Sequence, residues 1–260
     1  MVRQTVVSRE TLVDQLHAFG VEPGNVLLVH ASFRAVRPVE DGPQGVIDAL
    51  LGAVGGSGTV VMPSWTGDGD RPFDPTSTAA AADLGVIADN FWGRPGAMRS
   101  KHPFAFAALG PDAERITSDP LPLPPHRLES PVGRVWELDG RILLLGVGHD
   151  ANTTIHLAEV MAEVPYGVAK HVTDVRGGRA VRIDYPENDH CCQRFALADE
   201  WLRERALQRE GKVGGANARL VRARDVVGVV VERLRREPTI FLHPRSSGCE
   251  ECVEAWQSIS

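Results

Sequence analysis

Apolar and polar positions along this chain alternate between two rhythms. Behind Ser8, the residues Leu12, Leu16 and Phe19 recur three or four apart, which predicts a helix capped by Ser8 and ended at Gly20. Val26–Val29 is an unbroken apolar run of strand length, ending in His30-Ala31-Ser32-Phe33. Gly45–Val54 returns to the helical rhythm, with Val46, Ile47, Leu50 and Leu51 on one side. Gly55-Gly56-Ser57-Gly58 then turns sharply into a second apolar strand, Thr59–Met62, closed by Pro63-Ser64-Trp65. Arg141–Val147 reads as a third buried strand. A polar loop carries it into a helix capped by Asn152 or Thr153, with His156 in the first turn. His171–Val175 and Arg179–Asp184 flank Gly177-Gly178 as the arms of a hairpin. Asp189–Gln208 reads as one long helix through Phe195, Trp201, Leu202 and Leu207, and Ala218–Val221 and Asp225–Leu234 as a last strand and helix. Leu121–His126 (LPLPPH) is extended loop, because proline breaks helices and restricts the residue before it.

This alternation predicts an α/β fold, a central mixed or parallel sheet flanked by helices. Functional groups then belong at the strand ends, on loops such as His30–Arg34 and Met62–Asp70. No repeat or linker divides the sequence, so residues 1–260 read as a single domain. A chain of 260 residues buries enough apolar surface to fold without disulfide staples. Its longest apolar runs fall well short of the roughly 20 residues of a membrane span. The N-terminal MVRQTVVSRETL lacks the apolar core of a signal peptide. Both observations predict a cytoplasmic protein with no membrane partner. Charge narrows the partners further: 28 Lys and Arg against 34 Asp and Glu leave −6, which argues against nucleic acid and leaves cationic ligands open.

The familiar glycine-rich, zinc-protease and α/β-hydrolase signatures are absent. His156 is the most suggestive single residue. It follows a buried strand and opens a helix, where it can either face a cleft as a general base or simply pack at a helix N-terminus. Asp150, Glu159, Glu187 and Asp189 are candidates to fix its tautomer. Tyr185-Pro186-Glu187-Asn188-Asp189-His190 gathers ionisable groups that either hold an amine or cap a helix. Trp65-Thr66-Gly67-Asp68-Gly69-Asp70 offers an aromatic platform and carboxylates to the same kind of ligand, with a plain turn as the competing reading. Ser32 with Arg34, and Arg99-Ser100-Lys101-His102-Pro103, are polar clusters that could take a phosphate or lie in solvent.

The four cysteines form two tight groups, Cys191-Cys192 and Cys249-Glu250-Glu251-Cys252. In a reducing compartment such spacing favours a metal knuckle over a disulfide, although a redox pair or buried thiols fit as well. The expected ligands of a structural zinc ion are His190, Cys192, Cys249 and Cys252. Cys191 competes with Cys192, and His243 with His190.

The segments VLLVHASFRAVRPVEDGP, GTVVMPSWTGD, RSKHPFAFAALGP, SPVGRVWELDGRILLLGVGHDANTTIHLAEVMAEVPY and ENDHCC resemble the aminoglycoside 3-N-acetyltransferases, or antibiotic N-acetyltransferase family, nearly end to end. ENDHCCQRFALAD with the GCEEC tail is most similar to the branch that acetylates apramycin and gentamicin. The resemblance implies a distinctive α/β fold unlike the GNAT fold. It implies acetyl-CoA as donor and an aminoglycoside antibiotic as acceptor, acetylated at the 3-amino group of deoxystreptamine and so inactivated. By the same resemblance His156, in NTTIHLAE, is the catalytic base, with Glu187 in the reaction centre. Trp65, Asp70, Glu187 and Asp189 would bind the acceptor. His30, Ala31, Ser32, Phe33 and Arg34, then Arg99, Ser100, His102 and Phe106, and lastly Ser130, would face coenzyme A. Transfer would be direct, in a ternary complex, with backbone amides near Phe104–Ala107 holding the oxyanion. One departure stands out: Asp68-Gly69-Asp70 replaces the adjacent acidic pair of the related branch. An acetyltransferase of the same family with another amine acceptor is the competing function. A non-enzymatic zinc-stabilised module is a more distant one. A homodimer is compatible with either enzyme.

Overall fold

A computed structural model describes residues 5–118, 121 and 123–259. The start of the N-terminal segment and Pro122 of the proline-rich stretch lie outside them. The first helix, α1 (Arg9–Ala18), begins where Ser8 Oγ accepts the Thr11 N–H at 3.2 Å. β1 (Val26–Ala31) leads through the short α2 (Phe33–Val36) to α3 (Gly42–Val54), and β2 (Thr59–Pro63) follows. α4 (Gly85–Trp92), β3 (Met98–Arg99), β4 (Phe106–Leu109), α5 (Ala113–Thr117) and α6 (Pro131–Glu137) precede β5 (Arg141–Leu145) and α7 (Thr154–Ala162). The hairpin β6 (Val168–Arg176) and β7 (Arg179–Glu187) stands apart as its own two-stranded sheet. α8 (Leu197–Glu204), β8 (Gln208–Val213), β9 (Ala216–Arg222), α9 (Ala223–Arg236) and α10 (Glu250–Ser258) complete the chain.

Seven strands form one mixed sheet in the order β3-β4-β2-β1-β5-β9-β8. Only its centre is parallel: β1 pairs with β2 and with β5 in the same direction, and the remaining pairs are antiparallel. Both faces are covered, which explains why the central strands read as continuous apolar runs. Side chains alternate between the faces along each strand. Val26 and Leu28 of β1, with Ile142 and Leu144 of β5, pack against α7, α8 and α9. Leu27 and Val29, with Leu143 and Leu145, pack on the opposite side against α1, α3 and α4. A smaller apolar cluster of Tyr166, Val168, Leu242 and Ala255 holds α10 against the hairpin. Among the described residues no helix is long and apolar enough to cross a membrane.

The expected long helix over Asp189–Gln208 does not form. Asp189 and His190 continue from β7, a 3-10 turn covers Cys192–Ala196, and only Leu197–Glu204 is α-helical. Gln208 already starts β8, because Gly211 and the Gly214-Gly215 turn favour a hairpin with β9. The apolar spacing was real, but it belongs to two elements that meet the same core.

Candidate active site

Beyond the carboxyl ends of β2, β1 and β5 opens a cavity of about 710 Å³. Such a crevice is where open α/β sheets take their ligands. His30, Ala31, Ser32, Phe33 and Arg34 line it from the end of β1, Trp65 from beyond β2, and Gly85–Ala88 from the start of α4. The loop after β5 adds Val147 and residues 150–153, and His156, Cys192 and Phe195 complete the lining.

The chain reaches His156 by a turn the sequence dictates. Gly146 leaves β5 with φ of 75°, and a Cβ there would stand 2.4 Å from Ala35 Cβ, so only glycine fits. Asn152 then braces the loop: its Oδ1 accepts the Thr154 N–H at 3.1 Å and its amide donates to His149 Nδ1 at 3.0 Å. That bond leaves the proton of buried His149 on Nε2, which donates to Gln208 Oε1 at 2.7 Å. Gln208 in turn donates to Asp199, which also pairs with Arg219 at 2.5 Å. A polar network under the loop therefore fixes the first turn of α7.

Glu159, one turn beyond His156, is fully buried and accepts three hydrogen bonds. The donors are His156 Nδ1 at 2.8 Å, His190 Nε2 at 2.7 Å and the Tyr166 hydroxyl at 2.5 Å. Burial works against its charge, but the two imidazoles and these bonds outweigh it and hold the carboxyl down to about 2. With Nδ1 committed to Glu159, His156 turns Nε2 toward the cavity, where Cys192 Sγ lies 3.5 Å away. Burial disfavours the charged imidazole, yet the Cys192 sulfur and Glu159 together raise its pKa well above the ordinary value. His126 stacks on the ring at 4.9 Å and Phe195 meets it edge-on at 4.9 Å. His126 itself is kept neutral, first by burial and then by His156. An oriented, partly screened base at a strand end is what proton abstraction requires.

The acidic residues sit on and around the hairpin. Glu187 closes β7, buried, with Tyr185 donating to it at 3.3 Å. Burial and then Asp189 push its pKa up to about 7, while His156 pulls the other way. Asp189 forms an ion pair with Lys170 of β6. Asp70 is 81% exposed and pairs with His171 of β6 at 2.7 Å. Asp70 and Asp189 are thus rim residues already engaged by basic side chains of the hairpin. The glycine between Asp68 and Asp70 has a structural reason: a Cβ on Gly69 would stand 2.2 Å from the His171 carbonyl oxygen. Thr173 Oγ1 donates to Gly69 O at 2.8 Å, so this loop is docked on the hairpin.

Several expected site residues support the cavity without lining it. Arg99 stacks between Phe73 and Trp92, at 4.7 and 4.4 Å, and bonds Ser64 Oγ, Ser64 O and Thr78 O. Its guanidinium is spent on the β2 loop, so it offers nothing to a phosphate. Ser100 Oγ accepts the Phe106 N–H at 3.1 Å, and Phe106 packs at 6.1 Å against Trp65. His102 Nδ1 accepts the Phe104 N–H at 2.9 Å. The amides of Phe104 and Phe106 are therefore occupied, which removes them as oxyanion donors. Ser130 caps α6, accepting from Gly133 and donating to the Arg127 carbonyl at 2.6 Å.

The expected metal set also divides. His190 uses Nε2 on Glu159 and Nδ1 on the Cys191 carbonyl at 3.0 Å, so neither nitrogen is left for a metal. Cys192 faces His156. Burial forces this outcome, since Glu159 must find donors wherever the fold supplies them. The sequence pattern did not single out Tyr166, His126, Cys192 as a neighbour of His156, or Arg37, which joins Arg34 in the cavity wall. Glu159 three residues after His156 was the one legible signal.

Comparison with known proteins agrees with this geometry. A family model described as aminoglycoside 3-N-acetyltransferase matches residues 28–235. The chain is 63% identical over 237 residues to aminoglycoside N(3)-acetyltransferase IV of a Salmonella species, covering 91% of each. Crystal structures of aminoglycoside acetyltransferase AAC(3)-IVa, in a histidine-to-alanine mutant, superpose closely. The complex with a gentamicin gives a TM-score of 0.97 at 61% identity over the whole of both chains. The complex with apramycin gives 0.90 at 59% identity over 96% of this chain and 99% of that one. AAC-IIIb in binary complex with CoASH gives 0.81 at 28% identity, over 89% and 97%. With the fold, the crevice and these matches in agreement, the chain belongs to the aminoglycoside 3-N-acetyltransferase family.

Proposed function

We propose that this protein moves the acetyl group of acetyl-coenzyme A to the 3-amino group of the deoxystreptamine ring of an aminoglycoside such as apramycin or gentamicin, and so confers resistance. The observation that carries the reading is the buried Glu159–His156 pair, which leaves one imidazole nitrogen facing a large cavity, with the Glu187 carboxyl near enough to feel the imidazole charge. Ligands of the AAC(3)-IVa and AAC-IIIb neighbours agree with it.

An amine attacks a thioester only in its neutral form, whereas aminoglycoside amines are mostly protonated in water. Glu187, Asp189 and Asp70 draw the polycation to the hairpin side. The ammonium first loses one proton to solvent, His156 Nε2 takes the second as the C–N bond forms, and Glu159 stabilises the resulting imidazolium. The amine nitrogen bonds to the acetyl carbon and the C–S bond breaks. The coenzyme A thiolate then leaves and recovers a proton from His156. The His30–Arg34 segment, with Arg34 and Arg37 in the wall, suits the anionic donor, and Trp65 suits the sugar face. The reaction belongs in the cytoplasm, where acetyl-CoA is made. A structural zinc ion, remote from the reacting atoms, accompanies this reading.

The test is thiol release from acetyl-CoA against an aminoglycoside panel, with product regiochemistry by NMR. Turnover of apramycin or gentamicin to the 3-N-acetyl product supports the proposal. Turnover confined to unrelated amines would transfer the fold to the competing acetyltransferase reading.

A further inference from the structure

The four cysteines do not serve one purpose. Cys192 belongs to the cavity, while the other three converge elsewhere. Cys191 Sγ, Cys249 Sγ and an imidazole nitrogen of His243 lie within 4.8 Å of one another. They come from three separate segments: the end of the hairpin, the loop after α9, and the N-terminus of α10. Cys252 Sγ joins the group from the first turn of α10. It accepts the His243 N–H at 3.3 Å and the Cys191 N–H, and it approaches the Cys249 thiol.

We infer that Cys191, Cys249, Cys252 and His243 bind one zinc ion. Three thiolates and one imidazole are the donor set of closed, tetrahedral structural zinc. Zn–S bonds of about 2.3 Å and Zn–N bonds of about 2.0–2.1 Å place the donors roughly 3.5–3.8 Å apart. Three of the four donors already lie within 4.8 Å of one another, so drawing them in requires only side-chain adjustment, and Cys252 Sγ joins them from the first turn of α10. A second, independent observation points the same way: His243 Nε2 is buried with no hydrogen-bond partner among the described residues. Such an atom is costly unless something accepts its lone pair or proton. Backbone amides donate to the sulfurs of Cys191 and Cys252, from Gln193 and from Cys191 and His243 respectively. That pattern is the outer shell expected of metal-bound thiolates.

The site has a purpose in the fold. Pro244–Glu251 offers almost nothing apolar to bury, and the cluster under α10 is small. Zinc would clip α10 to Cys191, closing a loop of roughly 60 residues. Cys191 follows Glu187 by four positions, so the clip also anchors the acidic end of the hairpin. None of Cys191, Cys249, Cys252 and His243 borders the cavity, so the metal does no chemistry.

The inference stands apart from the transferase reading, because metal content is read without any acetyl transfer. Protein purified without nickel resin is analysed by inductively coupled plasma mass spectrometry, and thiols are titrated in the native state. We expect about one zinc per chain, with mercurial release of that zinc only as the cluster thiols react. Cys249→Ser and His243→Gln should lose most of the zinc, and Cys192→Ser should keep it. Cobalt substitution should give a sulfur-to-metal charge-transfer band. A native protein with negligible zinc and four titratable thiols, or with a disulfide between any two of these cysteines, overturns the site. Zinc lost by Cys192→Ser, but retained by Cys249→Ser, overturns the ligand set. Should Cys249→Ser fail to fold, the mercurial release and cobalt spectra on the wild-type protein decide the question.

Discussion

Glu159→Gln isolates the part of the site that matters most. The amide keeps the shape of the carboxylate and removes its charge. Glu159 now accepts from three donors, His156, His190 and Tyr166. A glutamine has one carbonyl oxygen to accept with, and its NH₂ group must face a lone pair. Whichever way it turns, at least one partner loses its bond or changes tautomer. If the NH₂ faces His156, the proton moves to Nε2, and the nitrogen that should take the amine proton now carries one. Loss of one charge-assisted hydrogen bond costs about 1.5–3 kcal/mol, roughly 10- to 150-fold in rate. A wrong tautomer costs up to about 10⁴-fold in the comparable serine protease case. We therefore expect kcat to fall by about 10²-fold or more, measured as thiol release at saturating acetyl-CoA and acceptor. Stability should change with a distinct pH signature. The Glu159 carboxyl is depressed from 4.5 to about 2, so its contribution, of order 3 kcal/mol, is present above pH 4.5 and lost as pH falls through about 2. Glu159→Gln should lose that stability at neutral pH and show a flatter acid denaturation curve. Calorimetric binding of coenzyme A separates a defective base from a misfolded protein. A variant that folds, binds coenzyme A and keeps kcat within about threefold of wild type would refute the dyad.

His156→Ala should lower kcat by roughly 10²-fold or more, and should also lower the melting temperature, since buried Glu159 loses one of its three donors. Because the His156 pKa is raised, the acidic limb of kcat/KM should lie above pH 6.5, and Cys192→Ala should move that limb to lower pH; a profile unmoved by this change would separate the two groups. Glu187→Gln should raise the acceptor KM and leave coenzyme A affinity intact. The native Glu187 carboxyl titrates near 7, so wild-type stability falls as pH rises from 4.5 through about 7, and Glu187→Gln should remove that decline in thermal melts. Gly69→Ala should push the loop off the His171 carbonyl and raise the acceptor KM several-fold, with kcat for small amines little altered; unchanged kinetics would show that the docking of this loop is irrelevant to the acceptor.

Much of the architecture was legible because the relevant forces are local. Ser8, Gly20, Gly55–Gly58 and Gly177-Gly178 punctuate the chain through backbone geometry, and residues 26–29, 60–62 and 142–145 are apolar on both faces because the sheet is covered twice. The place of His156 between a buried strand and a helix singled it out but left packing at a helix N-terminus as the competing reading, and the role of base was what the family resemblance implied. What the one-dimensional pattern could not decide was pairing. Cys191 and Cys192 are neighbours in sequence, but their side chains leave the backbone in different directions, one toward His243 and Cys249, the other toward His156. His190 is a plausible metal ligand by spacing, yet it is claimed by Glu159, a fully buried charge 31 positions away that must have partners. Arg99 reads like a phosphate ligand until Phe73 and Trp92 close over it. Asp189–Gln208 carried one apolar rhythm, and only contact with the core showed where α8 ends and β8 begins. Local propensity and periodicity set the elements, because each depends on a few adjacent residues. Which donor meets which buried acceptor depends on segments distant in the chain, and that was settled only when they packed.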